Sequence, residues 1–167
     1  MNFLIENRLV TLQNELELAR AGYTSEKTNI IIREVCIDIW NISINEQAGQ
    51  DVQSRPDFAY MSKLFHDKWV LAGKTAKVMS KIGISEHRIP MAVLRSKMIS
   101  IRQTNELLEF LTSKLKLVWV SKEEDQLLKE SGCNHTMPNC GSDRYDYVGI
   151  EVLPNLIRFK NFSLDER

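Results

Sequence analysis

The chain predicts a mainly α-helical protein: an antiparallel bundle of about four helices with a small C-terminal α/β appendage that contains a β-hairpin. Three observations carry this reading. Apolar residues recur at helical spacing through residues 1–116. Glycine and proline fall where helices would stop and start. Beyond Leu117 the pattern turns to short β-prone runs and turn residues. The expected organisation is therefore a helical part over 1–116 and an appendage over 117–167, packed as one structural domain, and 167 residues suit a single core.

Ile5, Leu9, Leu12, Leu16 and Ala19 step by four and three and line one face of a first helix, which Ala21-Gly22 ends. A second helix starts at Thr24 or Ser25 as its cap and keeps the same spacing through Thr28, Ile32, Val35, Ile39 and Ile42 to about Asn45. Ile31, Cys36 and Trp40 widen its apolar stripe, as in a helix buried on more than one side. The polar run from Glu46 to Arg55 reads as a loop. Pro56 fits the first turn of a third helix, whose apolar face is Phe58, Met61, Phe65, Trp69, Ala72 and Met79, with Gly73 as an interruption and Gly83 as its end. From Pro90 a fourth helix, about 40 Å long if it reaches Lys116, carries Met91, Leu94, Met98, Ile101, Leu108, Leu111 and Leu115. In the appendage, Leu117-Val118-Trp119-Val120 is a short strand and Lys122–Glu130 a brief charged helix. Tyr147–Val152 and Leu156–Lys160 form the two arms of the hairpin around Leu153-Pro154-Asn155. No internal repeat stands out.

Charge gives the functional lead. Formal net charge is zero, yet residues 63–102 hold nine bases and two acids, a net +7 flanked by segments of −4 and −3. A partner rich in phosphate or carboxylate is what such asymmetry suggests. Lys74, Lys77 and Lys81 recur at i, i+3 and i+7 on the third helix, and Arg88, Arg95 and Arg102 recur every seven residues through the turn and fourth helix. With Lys97 they form the expected nucleic-acid contact set, gathered at the tip of a helix three–four hairpin; arginine adds bidentate hydrogen bonds to phosphate or guanine. The competing reading is a solvated face whose bases pair with acids of the first two helices. Met79-Ser80-Lys81-Ile82-Gly83-Ile84-Ser85-Glu86-His87-Arg88-Ile89 resembles a helix-turn-helix. Met79 stands where a small residue is usual, and Pro90 would interrupt the second helix of the motif.

Other constellations are weaker. Cys133, His135 and Cys140 offer three zinc-type ligands in one loop, where a structural site needs four and paired Cys-x-x-Cys spacing is missing. Ala72-Gly73-Lys74-Thr75 matches only the end of a phosphate-binding loop, with Lys68 in place of the first glycine. His66 and His87 have no nucleophile at a suggestive spacing, and Asp143, Asp146 and Glu151 read as a solvated loop and strand edge. The expectation is a non-enzymatic nucleic-acid-binding regulator without cofactor. The alternatives are a helical adaptor or effector that binds a protein or self-associates as a homodimer, and an enzyme whose active site carries no motif. No basic leader precedes an apolar run and no apolar stretch reaches about 20 residues, so neither a secretory signal nor a membrane span is expected. Three cysteines, an odd number, fit reduced thiols in a cytoplasm.

Overall fold

A computed structural model describes residues 3–47, 49 and 58–158. In chain order these form α1 (Phe3–Arg20), α2 (Glu26–Gln47), β1 (Phe58–Met61), α3 (Lys63–Leu71), α4 (Ala76–Ile82) and β2 (Gly83–His87). Then follow α5 (Met91–Met98), α6 (Thr104–Lys114), β3 (Leu117–Ser121), α7 (Lys122–Glu130), α8 (Arg144–Tyr147) and β4 (Ile157–Arg158). The described chain is mainly helical, with one small four-stranded mixed sheet. No described helix is long and apolar enough to cross a membrane. Two compact units interleave along the sequence: Met1–Arg55 with Met91–Leu115, and Pro56–Pro90 with Lys116–Arg167.

The first unit is all helical, and its two long helices follow the expected stripes. Ile5, Leu9, Leu12 and Leu16 of α1 are buried, as are Ile32, Val35, Cys36, Ile39 and Trp40 of α2. Ser25 accepts the Thr28 N–H at 3.0 Å and opens α2. The single fourth helix expected over 90–116 is two helices, α5 and α6. Arg20 supplies the physical reason: it donates through Nε to the Ile99 carbonyl at 2.7 Å and through Nη2 to those of Met98 and Ile101. Those carbonyls would be acceptors inside a continuous helix, and a nearly buried guanidinium satisfies them instead.

The second unit holds the sheet, in the order β2-β3-β1-β4. β1 and β3 are parallel, with Tyr60 opposite Val118 and Met61 opposite Trp119. β2 runs antiparallel to β3 from Gly83↔Ser121 to His87↔Leu117, and β4 antiparallel to β1. β3 is central and nearly wholly apolar, as a strand covered on both faces must be. Met61, Phe65, Trp69 and Met79 form one cluster, with Phe65 stacked on Trp119 at 5.5 Å; Val118, Val120, Leu128, Cys133, Tyr145 and Ile150 form another.

This sheet corrects three expectations. Residues 58–61 are strand rather than third helix, so strands are not confined to the region after Lys116; the proposed helix start at Pro56 lies outside the described residues. The helix-turn-helix fails at its turn, because Gly83 is extended (φ −156°) and opens β2. A Cβ there would meet the Val120 carbonyl at 2.3 Å and the Phe65 ring at 2.5 Å, so glycine is required for close strand packing rather than for a tight turn. Among the described residues the two arms of the expected C-terminal hairpin pair elsewhere. Tyr147 ends α8, Val152 bridges Ser62, and Ile157 and Arg158 pair with β1, whose edge offers a better ladder than a second arm; Phe159 and Lys160 lie outside the described residues.

The parallel pair also hides a repeated device absent from any simple alignment of periodicities. Each strand leads through a serine into a helix: β1–Ser62–α3 and β3–Ser121–α7. Ser62 accepts the Phe65 N–H at 3.1 Å and Ser121 accepts the Glu124 N–H at 3.2 Å, so both serines cap their helices. Glu124 Oε2 then accepts from Ser62 Oγ at 2.5 Å and from the Ser121 N–H at 2.8 Å. One buried carboxylate thus completes a capping box and ties the two helix starts together.

Candidate functional site

The basic residues expected to gather at one tip are divided between the two units. Lys74, Lys77, Lys81 and Arg88 belong to the second; Arg95, Lys97 and Arg102 belong to the first. Each group has its own electrostatic setting.

In the first unit, Arg102 Nη1 donates to both Glu17 oxygens at 3.0 and 3.1 Å. Desolvation works against the Glu17 charge, but Arg102 and Arg20 outweigh it and hold its carboxyl below the usual range. Arg95 donates to Asn29 Oδ1. Lys97 is exposed in the last turn of α5, where a cation suits the helix dipole.

In the second unit, Arg88 follows β2 and its Nε meets Asp143 Oδ2 at 2.7 Å, with its backbone N–H on the Lys116 carbonyl. Partial burial disfavours the Arg88 charge, yet the Asp143 hydrogen bond and charge prevail and raise its pKa. All three arginines of the expected set therefore already donate to protein acceptors. The lysines differ. Lys77 and Lys81 are exposed and four apart on α4, so they share a face, and Lys74 stands in the turn before it at φ 57°. Trp69 Nε1 donates to the Thr75 carbonyl at 3.1 Å and fixes that turn against α3. Lys68, also in the acid-free stretch between Asp67 and Glu86, reaches Glu123 at 2.7 Å. That ion pair brings the Glu123 pKa down to about 2.

The most connected charged residue of the second unit, Arg144, was silent in the sequence because burial of a lone arginine in a polar loop leaves no periodic trace. Its side chain is fully buried. Nη2 meets Glu86 at 3.1 Å, the Tyr145 hydroxyl at 3.3 Å and the His87 carbonyl, while Nη1 meets the Cys133 and Asn134 carbonyls at 2.9 and 3.3 Å. Asp143 caps α8 by accepting the Tyr145 N–H at 2.9 Å with the oxygen not used by Arg88. Burial pushes the Tyr145 hydroxyl up to about 12. These contacts strap the 133–144 loop to β2 through both terminal nitrogens of Arg144, while its buried Nε makes no hydrogen bond among the described residues.

The same strap disperses the zinc-type residues. Cys133 is buried with its carbonyl on Arg144, whereas His135 and Cys140 are exposed. Among the described residues, no three His, Cys, Asp or Glu side chains are grouped so as to hold a metal ion. Comparison with protein-family models, curated proteins and solved structures finds no match.

Proposed function

We propose that this chain is a non-enzymatic nucleic-acid-binding protein that meets phosphates through the lysine face of α4. The observation that supports the reading is the exposed pair Lys77 and Lys81, with Lys74 adjoining, in a stretch from Lys68 to Ser85 that contains no acid. Lysines of this kind act as point charges on the backbone and read no bases, so binding is sequence-tolerant and driven by counterion release. With Arg88, Arg95 and Arg102 engaged internally, the footprint is smaller than the seven residues the sequence suggests. Two phosphate contacts, from Lys77 and Lys81, give a log–log salt slope of about −2 on duplex DNA. Fluorescence anisotropy across salt concentrations tests this. The double variant Lys77→Glu, Lys81→Glu should reduce the slope by about 2 and weaken binding at low salt. Wild-type binding that ignores salt, or that survives the double variant unchanged, removes the reading.

A second reading, a protein-binding surface, is favoured by Leu71, 88% exposed, with Leu64 and Leu127 exposed on the two helices joined by the Lys68–Glu123 pair. Leu64 and Leu71 lie one turn either side of Lys68 on α3, and Leu127 one turn beyond Glu123 on α7. Sedimentation of wild type and Leu71→Glu separates the readings. Self-association lost in Leu71→Glu, without DNA binding by either protein, supports the second and rejects the first.

A further inference from the structure

We propose that a groove in the first unit, formed where α1 begins, α2 ends and α6 passes, is a binding site for a small amphiphilic amine: an ammonium group on a compact apolar body. The groove encloses about 480 Å³ and is lined by Phe3, Ile5, Ser43, Glu46, Gln47, Leu108 and Thr112. That volume is in the range of small-molecule sites, and so is the mixture of apolar walls with a few polar groups.

Two independent observations point to a ligand. Ser43 is only 8% exposed, lines the groove, and its Oγ has no hydrogen-bond partner among the described residues. A serine inside a helix ordinarily satisfies its hydroxyl on the carbonyl four residues earlier, and a buried hydroxyl left unpaired is costly. A donor or acceptor entering the groove removes that cost. Phe3, 72% exposed, is the second: a large ring on the groove wall leaves most of its surface uncovered, next to Leu108 and the buried Ile5.

The charge of the ligand follows from α2. Glu46 in its last turn is the charged side chain among those lining the groove; the negative end of α2 and the positive end of α1, which begins at Phe3, lie against the same groove and offset one another. Thr112 already donates its hydroxyl to the Leu108 carbonyl at 2.9 Å, which leaves its oxygen as an acceptor. Acceptors from Glu46, Ser43 and Thr112, beside the apolar Phe3, Ile5 and Leu108, select an ammonium on an aryl or alkyl body. An anion is disfavoured by the same carboxylate.

The probe is 4-phenylbutylamine, titrated into uniformly labelled full-length protein and followed by amide chemical shifts, with 4-phenylbutanoate as the anionic counterpart. A ligand of this size binds at about 1 mM or tighter, with saturable shifts confined to the end of α2, the start of α1 and α6. Ser43→Ala, which removes an unpaired hydroxyl and so keeps the fold, weakens the amine roughly fivefold. Gln47→Lys, an exposed change that places a cation at the mouth, abolishes amine binding while the spectrum stays folded. Equal binding of the carboxylate, amine binding unchanged in Gln47→Lys, or no saturation by the amine overturns the proposal.

Discussion

Replacing Glu124 with alanine should destabilise the second unit by about 3 kcal/mol, because it leaves two buried donors without an acceptor: the Ser62 hydroxyl and the Ser121 N–H. Ser62 and Ser121 are fully buried and Glu124 is 5% exposed, so water reaches neither donor without opening the helix starts. Each orphan costs about 1–3 kcal/mol and the lost capping box lies within that sum. For a chain of this length the melting temperature should fall by roughly 6–12 °C. Urea unfolding followed by tryptophan fluorescence is a direct assay, since Trp69 and Trp119 lie in this unit. Ser62→Ala removes one of the two donors together with the α3 cap. In the Glu124→Ala background it should therefore cost less than it does alone, with a coupling of about 1 kcal/mol. Additive single and double variants, or a Glu124→Ala loss below about 0.5 kcal/mol, would refute the idea that one carboxylate ties both helices.

Arg144→Ala leaves Glu86 without its cation and three carbonyls without their donor, and should cost about 3 kcal/mol, seen as unfolding at lower urea. Gly83→Ala drives a methyl into the Val120 carbonyl and the Phe65 ring, with a loss of about 1–3 kcal/mol by the same measurement. Burial raises the Cys36 thiol to about 12 and the Tyr145 hydroxyl to about 12, from ordinary values of 9.0 and 10.0. The unfolded chain therefore loses these protons first. Their contribution to stability is complete below pH 9.0 and falls away as pH rises toward about 12, which thermal melts across that window should show. Of the three cysteines, exposed Cys140, its thiol pKa lowered by the Ser142 hydrogen bonds, should react first with a thiol reagent and buried Cys36 last, as a mass-spectrometric time course would record.

Helical period made α1 and α2 legible almost residue by residue, because each buries one continuous stripe: Ile5, Leu9, Leu12 and Leu16, then Ile32, Val35 and Ile39. The same signal misled over residues 58–61. Phe58 and Met61 are three apart and join smoothly to Phe65 and Trp69, so a four-residue strand and the helix after it read as one helical face. What separates them is Ser62, whose side chain caps α3 while its N–H bonds the Trp119 carbonyl of a strand distant in sequence. A partner 57 residues away leaves no local mark, and the pairing of β1 with β3 is of that kind throughout. The break between α5 and α6 is similar: Arg20, on another helix, takes the carbonyls that a continuous helix would use.

Charge was legible as a sum but not as a surface. The excess of bases over residues 63–102 is real, yet the arginines in it are the residues best able to find planar acceptors, and the fold has given each one an acceptor: Asp143, Asn29 and Glu17. Lysine behaves otherwise. Its ammonium is more strongly hydrated and loses more in leaving water, so Lys77 and Lys81 stay exposed on α4 with their charge available to an incoming phosphate. Spacing in the sequence puts Lys77 and Lys81 on one helix face, but it carries no mark of the acceptors that each arginine meets in the fold. The consequence for binding is specific: with arginine withheld, bidentate recognition of guanine is absent from the proposed contact, and affinity should depend on phosphate density and salt rather than on base sequence.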